Sequence, residues 1–353
     1  MLGLFALAAC DKTDRSYSLL GAAQTFQQNP STVEQNKVDI LWVVDNSGSM
    51  KPFQQNLANN FNSFITNFVS KNFDFHLAVT TSDSYLAGAF WNNNPNYSHF
   101  RDGIGTTHTG YPIIDSATPN LQSVFVTNAL QGDQGSGDER AFSSFRAALQ
   151  DPSNSAFHRA GAFLAIIILS DEDDFSDPKR PEYSWFLRNG VPDHDYADPN
   201  LETTDSYIQF LDQFTGTTDP ALRHYNVSAV AVLDSVCQAS HVAQSATTII
   251  GQRYVDLANK TNGVTADICS ATYADALNKI QQNIIELSTQ FQLDRQPNPA
   301  SIQVMVNNVV VPNSPTNGWT YVASANSVLF HGTAVPSQGA SITVTFDPLA
   351  PTN

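Results

Sequence analysis

The feature that most constrains this chain is the stretch 38–50, Val-Asp-Ile-Leu-Trp-Val-Val-Asp-Asn-Ser-Gly-Ser-Met. Residues 38–44 form a nearly all-apolar run of strand-forming residues, which predicts a strand buried on both faces, as in parallel sheets. The run ends at Asp45, and an amphipathic helical pattern over 51–69 follows directly. The sequence therefore predicts a strand, a tight turn and a helix, the basic unit of an α/β fold.

The turn between this strand and helix carries one carboxylate and two hydroxyls at alternate positions, Asp45, Ser47 and Ser49. These are hard oxygen donors, which suit Mg²⁺, Ca²⁺ or Mn²⁺. Because the turn lies at a helix N-terminus, spare backbone N–H groups can hold the oxygens in place. We expect a divalent-cation site here, and the alternative is that an Asp or Ser only caps the following helix.

Strand and helix patterns alternate along most of the chain. After the first unit, the sequence predicts strands over 73–80, 162–169, 225–233 and 264–268, and helices over 138–150, 253–262 and 272–291. Such alternation is typical of an α/β fold with a doubly wound, mostly parallel sheet flanked by helices. Two long polar insertions, 83–134 and 175–223, follow strands, so we expect them to surround the crevice at the carboxyl ends of the strands.

With its D-x-S-x-S turn after the first strand, the stretch 38–50 resembles the metal-ion-dependent adhesion site of von Willebrand factor A (VWA) domains. The resemblance covers about 38–290, and we assign 36–292 to a VWA-like domain. It implies a Rossmann-like sheet, a bound Mg²⁺ with Ca²⁺ or Mn²⁺ as alternatives, and a protein partner that offers an acidic side chain to the metal. It also implies two further ligands, a Thr before a later helix and an Asp after the fourth strand.

Asp171 is the residue that matches the implied Asp, because it follows the Ile-rich run 162–169 after a single Ser. At the ends of neighbouring strands, Asp45 and Asp171 would raise each other's pKa unless a cation lay between them. Beyond Asp171, the acidic run extends to Asp174, and we expect it to form a solvated loop end.

The implied Thr is missing from this sequence, and Gly135-Ser136-Gly137-Asp138-Glu139 stands in its place. We choose Glu139 as the ligand because of its position at the start of the next helix, with Ser136 and Asp138 as alternatives. Ser136 and Glu139 also fit a capping box, which would use both side chains structurally. An extra carboxylate would strengthen cation binding and weaken the attraction for an anionic partner.

Composition and motifs narrow the class of function. The net charge of −16, with only 17 Lys and Arg, excludes nucleic acid as a partner because phosphate binding needs a basic face. We expect a metal-dependent binding module for adhesion or complex assembly, not an enzyme. A structural lipoprotein with a non-functional metal site is one alternative. A metal-assisted hydrolase is another, but no G-x-S-x-G or H-E-x-x-H motif occurs, and His108 and His194 are the histidines to test.

The N-terminal residues 1–10 form an apolar run that closes on Leu-Ala-Ala-Cys10. This resembles a bacterial lipobox, a lipoprotein signal segment in which Cys10 becomes the lipidated first residue of the mature protein. The resemblance implies a lipid-anchored protein of the bacterial cell envelope, at the periplasmic face or the cell surface. The polar stretch 11–35 predicts a tether with a reach of ~25–30 Å, and docking of 19–26 on the domain is an alternative that would shorten this reach.

Two cysteines remain, Cys237 and Cys269, and both follow neighbouring predicted strands at the same end of the sheet. An exported protein permits a disulfide between them, and two free buried thiols are the alternative. From Pro297 the pattern changes to short alternating strands separated by Pro, Gly and Asn. This change predicts a small antiparallel β domain over 297–353.

Overall fold

The structure is a computed structural model. It describes residues 24–27, 37–88, 93–177, 186–188, 191–193, 198–199, 201–242, 248–337 and 339–349. The predicted lipidation site Cys10, His194 and most of the predicted tether lie outside these residues. None of the helices in the described part of the chain is long and apolar enough to cross a membrane.

The described elements follow the predicted alternation of strands and helices. The strands are β1 (Gln24–Gln27), β2 (Lys37–Val44), β3 (Asp74–Thr81), β4 (Gly103–Ile104), β5 (Thr107–His108), β6 (Ile113–Ile114), β7 (Phe163–Leu169), β8 (Phe186–Arg188), β9 (Val191–Asp193), β10 (Tyr225–Ala231), β11 (Thr265–Asp267), β12 (Phe291–Gln292), β13 (Gln303–Val306), β14 (Val309–Val311), β15 (Gly318–Val322), β16 (Ser327–His331) and β17 (Ile342–Phe346). The helices are α1 (Lys51–Ser70), α2 (Leu121–Ala129), α3 (Ala141–Gln150), α4 (Thr204–Thr215), α5 (Ser235–Val242), α6 (Gln252–Lys260) and α7 (Ala274–Ser288).

A six-stranded sheet in the order β11-β10-β7-β2-β3-β6 forms the centre of the molecule. Its strands are parallel except for the short β6. The register places Val44 beside both Leu169 and Thr81, so β2, β7 and β3 end at the same edge. The prediction of a mostly parallel sheet flanked by helices is confirmed.

Each face of this sheet is covered by helices, which is why β2 is apolar at nearly every position. Val38, Ile40, Trp42 and Val44 pack in the core shared with α1, α2 and α7. Leu41 and Val43 pack on the opposite face, in the core shared with α3, α4 and α6. The aromatic stripe of α1 is buried in the first of these cores.

A set of short antiparallel strands lies beyond α7, in two sheets of order β1-β17-β13-β14 and β12-β16-β15. Their apolar residues, such as Val304, Phe330 and Val344, belong to the same buried cluster as Ile284 of α7. The β unit therefore shares its core with one face of the central sheet.

Three local predictions were wrong. Gln24–Gln27, predicted as part of a flexible tether, pairs antiparallel with Ile342–Phe346 as a strand of the β unit. The last helix ends at Ser288 rather than at 291, and Phe291 begins a strand that pairs with β16. The helix predicted from 138 begins at Ala141.

Candidate metal site

The candidate site forms where β2 and β7 end side by side. The backbone N–H of Asp45 donates to the carbonyl of Leu169 at 2.9 Å, which extends the pairing of the two strands by one residue. Gln54 of α1 then ties the turn to a later loop, because its side-chain amide donates to the carbonyls of Asp45 at 2.7 Å and Gly132 at 2.8 Å. These bonds fix the loop 45–50 from both sides.

Asp45 is fully buried, and protein donors bind both of its carboxylate oxygens. Oδ1 accepts from the backbone N–H of Ser47 at 2.9 Å and the hydroxyl of Ser82 at 3.2 Å, and Oδ2 accepts from the hydroxyl of Ser170 at 2.7 Å. Burial raises the pKa of Asp45, and these hydrogen bonds oppose the rise. Neither Ser82 nor Ser170 was predicted. The signal that both carry is a position directly after a buried strand.

Asp171 and Glu139 are also fully buried, but they differ from Asp45 in their bonding. Neither of the two carboxylate oxygens on either residue has a hydrogen-bond partner of good geometry within the described ranges, and the same holds for the hydroxyl of Ser47. Buried polar atoms in proteins are normally paired, because an unpaired one loses its hydration without compensation. Five buried oxygen atoms, from three of the five predicted ligands, therefore lack a hydrogen bond of good geometry to the rest of the described chain.

The charges of these carboxylates act on one another. Burial, and to a smaller extent the charge of Asp45, raise the pKa of Asp171 to about 7, and the Ser49 hydroxyl opposes this rise. The pKa of Glu139 is also raised well above its usual range. Burial is the largest cause, and the charges of Glu172, Asp45 and Asp171 add to it. The structure thus brings Asp45, Glu139 and Asp171 into one electrostatic cluster, together with Glu172, which was not predicted.

Only part of the turn reaches the surface. Gly48 is exposed and Ser49 is half-buried, whereas Ser47 is buried with 4% of its surface exposed. The cluster therefore lies directly beneath the tip of the turn, and Ser49 is the predicted ligand nearest to solvent.

The structure distinguishes the three residues considered as the ligand in place of the missing Thr by their hydrogen bonds. Ser136 accepts a hydrogen bond from the backbone N–H of Asp138 at 3.1 Å. Asp138 forms a fully buried ion pair with Arg140, at 3.0 Å from Nε and 2.7 Å from one terminal nitrogen. Both side chains are therefore engaged in the loop, which leaves Glu139 with its unpaired oxygens.

The capping-box interpretation of Ser136 and Glu139 was wrong. Helix α3 begins at Ala141, with Arg140 at the N-cap position. Its first N–H groups bind elsewhere, because those of Phe142 and Ser143 donate to Asp174 Oδ1 and Ser176 Oγ, each at 2.9 Å. Glu139 is thus free of the structural role that the alternative assigned to it.

The acidic run after β7 is not a solvated loop end. Asp173 and Asp174 are 3% and 0% exposed. Asp173 accepts from the backbone N–H of Arg253 at the start of α6, and Asp174 accepts from the Arg253 guanidinium at 3.1 Å. These two carboxylates hold the N-termini of α6 and α3, so they fix the loop that carries Asp171.

Gly135 holds the loop before α3 against the turn 45–50. Its backbone N–H donates to the carbonyl of Asn46 at 2.8 Å, and a Cβ at this position would lie only 2.4 Å from the Asn46 side chain. Asn46 in turn donates to Asp83 at 3.1 Å. The close approach of the three loops therefore requires glycine at position 135.

The donor set fits a hard divalent cation. It consists only of carboxylate and hydroxyl oxygens, and a cation would supply the positive charge that the buried cluster lacks. In the described part of the chain, one group of three Cys, His, Asp or Glu side chains has its ligand atoms within 4.8 Å of each other, and it is Cys237, His241 and Cys269. The carboxylates of Asp45, Glu139 and Asp171 do not form such a group within the described ranges, so a cation held by all three would require their side chains to move closer together.

The structure also describes three other residues that the sequence singled out. Cys237 and Cys269 form a disulfide, with their Cα atoms 5.7 Å apart, so that prediction is confirmed. His108 lies in an exposed hairpin, where Nδ1 is 2.8 Å from Asp102 Oδ1.

No family model and no curated protein matches this chain. In structure it is similar to the pilus adhesin SpaC from Lactobacillus rhamnosus GG in its open conformation, with 15% identity, a TM-score of 0.38 and coverage of 88% of this chain and 38% of that chain. It is also similar to proximal thread matrix protein 1 from the mussel byssus, with 9% identity, a TM-score of 0.37 and coverage of 73% and 50%. The chain thus spans 38% of the SpaC chain and 50% of the mussel protein.

Proposed function

We propose that this chain is a VWA-like protein-binding module that depends on a divalent cation, with a role in adhesion or complex assembly. The single observation that supports it best is the pair of buried carboxylates, Asp171 and Glu139, without hydrogen-bond partners of good geometry among the described residues. Because burial of an unpaired charge costs several kcal/mol, on the order of the net stability of a domain, such a pair calls for a positive charge.

Asp45, Ser47, Ser49, Glu139 and Asp171 would hold the cation, and Mg²⁺ suits this set of oxygens best. Mg²⁺ takes near-octahedral coordination, so these five protein oxygens would leave one position for an exchangeable water. This water would give way to an acidic side chain of the partner, which reaches the site over Gly48 and Ser49. The bound cation supplies the positive charge for that contact.

Glu139 adjusts the strength of this contact. As a third carboxylate beside Asp45 and Asp171, it leaves less net positive charge at the metal than a Thr would. We therefore expect firm binding of the cation and modest affinity for an anionic partner. The proposal includes a lipid anchor at Cys10, which would hold the module at the bacterial envelope.

The test is capture of partners from an envelope extract by the immobilised protein, in Mg²⁺ and in EDTA. We expect the wild-type protein to retain partners in Mg²⁺ only, and the Asp171→Asn variant to retain none in either condition. Asp115→Asn, which changes a carboxylate of a separate surface loop, is the matched control and should behave as wild type. Capture that persists in EDTA would place recognition away from the metal.

A further inference from the structure

A second group of metal-binding side chains lies around the disulfide. Cys237 and His241 are one helical turn apart on α5, and Cys269 follows β11. The two sulfur atoms and a ring nitrogen of His241 all lie within 4.8 Å of one another. His241 is only 8% exposed, and its ring packs against Phe53, with the ring centroids 4.9 Å apart. The histidine is therefore held beside the sulfurs by packing.

The three ligand atoms are near enough to one another for a tetrahedral zinc site once the two sulfurs are no longer bonded. With Zn–S bonds of about 2.3 Å and Zn–N bonds of about 2.0–2.1 Å, neighbouring ligand atoms lie roughly 3.5–3.8 Å apart. When the disulfide opens, the sulfurs must move apart to at least their van der Waals contact. Small side-chain rotations of the three residues would then reach the tetrahedral spacing without movement of α5.

We propose that Cys237, Cys269 and His241 form a Zn²⁺ site that is available only when the disulfide is reduced. An external dithiol supplies two electrons and two protons to the disulfide and is itself oxidised to a disulfide. The two cysteine thiols then release their protons as they bind Zn²⁺, and His241 binds through a neutral ring nitrogen. Disulfide formation and Zn²⁺ binding at this site are therefore mutually exclusive.

The surroundings favour this role. Burial lowers the pKa of His241, with an opposing effect from Asp267. Asp267 is fixed by a hydrogen bond of 2.8 Å from the backbone N–H of Cys269. No carboxylate of the described residues joins the three ligand atoms within 4.8 Å, so water would fill the fourth position. Sulfur and imidazole ligands prefer Zn²⁺, whereas the oxygen set around Asp45 prefers Mg²⁺.

The experiment uses Co²⁺ as a spectroscopic probe for Zn²⁺ in the full chain, before and after reduction with a phosphine. We expect thiolate-to-cobalt charge-transfer bands in the reduced protein only, saturating at one equivalent and lost on addition of Zn²⁺. Oxygen ligands give no such bands, so cobalt bound near Asp45 does not interfere. The His241→Ala variant should bind Co²⁺ more weakly by more than about tenfold.

The matched control is His99→Ala, since the side chain of His99 is 41% exposed and lies beside Asp151, in a different part of the structure. This variant should give the same titration as the wild type. Absence of the charge-transfer bands from the reduced wild-type protein would overturn the proposal, whether or not the reduced chain stays folded. Equal affinity in His241→Ala and wild type would overturn it as well.

Discussion

Asp171 is the residue whose environment is least compatible with a metal-free protein. Its carboxylate is fully buried, lacks a hydrogen-bond partner of good geometry within the described ranges, and lies close enough to Asp45 to feel its charge. A buried, charged carboxylate is unfavourable in free energy, and protonation removes its charge. The pKa of Asp171 therefore rises to about 7. A bound cation would compensate the same buried negative charge without a proton.

This environment predicts how the stability of the EDTA-treated protein depends on pH. Because burial raises the pKa of Asp171 from 3.8 to about 7, the folded state keeps its proton over a range where the unfolded chain has lost it. The free energy of unfolding therefore falls as pH rises from about 4 to 7, and the loss is complete above pH 7. We expect Asp171→Asn to reduce this fall by on the order of 4 kcal/mol, since a rise in pKa from 3.8 to about 7 corresponds to that free energy.

Urea unfolding at several pH values measures this dependence. Asp173 has a pKa that burial also raises to about 7, so the variant should retain part of the slope. A wild-type protein whose stability rises between pH 4 and 7 in EDTA would show that Asp171 is not buried as a carboxylate.

Gly135 offers a second prediction at the level of one residue. In Gly135→Ala, the new methyl group would lie 2.4 Å from the Asn46 side chain, so the turn must move. We expect a loss of about 1–3 kcal/mol in the free energy of unfolding, because overpacking of a rigid site strains it. Gly137→Ala is the matched control, since a Cβ there meets no atom within 4 Å. Equal stability of the two variants would show that the loop accommodates the methyl group.

At the scale of elements, the loop after β7 holds two helices and one candidate ligand. Asp174 accepts hydrogen bonds from the N–H of Phe142 in α3 and from the Arg253 guanidinium of α6. The rigid part of the site is therefore built from the N-termini of these helices, and Asp171 depends on them for its position.

The Asp174→Ala variant tests this role. It removes the helix cap and leaves the buried Arg253 without one of its ion-pair partners, so we expect a cost of about 2–4 kcal/mol. Asp205→Ala is a suitable control, because Asp205 is an acidic residue in the first turn of α4 with 67% of its side chain exposed. Thermal unfolding should separate the two variants by several degrees. A cost below that of Asp205→Ala would contradict the capping role.

The two central strands show which parts of the fold could be predicted from the sequence. Strands β2 and β7 are recognisable because both of their faces are buried, so nearly every residue is apolar. The turn with Asp45 follows from the same pattern. The hydroxyls of Ser82 and Ser170 were missed because their hydrogen bonds to Asp45 join residues 37 and 125 positions apart. Such contacts have no local signal.

Contacts between residues far apart in the sequence also explain why two element predictions were wrong. The tetrapeptide Gln24–Gln27 has the polar composition of a tether, and it becomes a strand only because β17 offers a free edge. The start of α3 moved because the N-terminal N–H groups bind Asp174 and Ser176, from a loop more than 30 residues away. In both cases the partner, not the segment itself, sets the structure.

At the scale of the whole molecule, the candidate metal ligands and the disulfide lie at the same edge of the central sheet, where its parallel strands end. Strands β2, β3 and β7 end there together, and each is followed by side chains that bind one another: Asp45, Ser82 and Ser170. The disulfide joins α5, which follows β10, to the loop after β11, so it lies at the carboxyl ends of the same sheet. Several of the chain's carboxylates, among them Asp45, Glu139 and Asp171, are buried at this edge rather than solvated.

The most direct test of the central claim is calorimetric titration of Mg²⁺ into the chelator-treated protein. We predict one equivalent of Mg²⁺ bound by the wild type, loss of binding in Asp45→Asn and Asp171→Asn, and weaker binding in Glu139→Gln. Asp102→Asn, which changes the carboxylate beside His108, should bind as the wild type does. A wild-type protein that binds no divalent cation, or variants that bind it with unchanged affinity, would contradict the account.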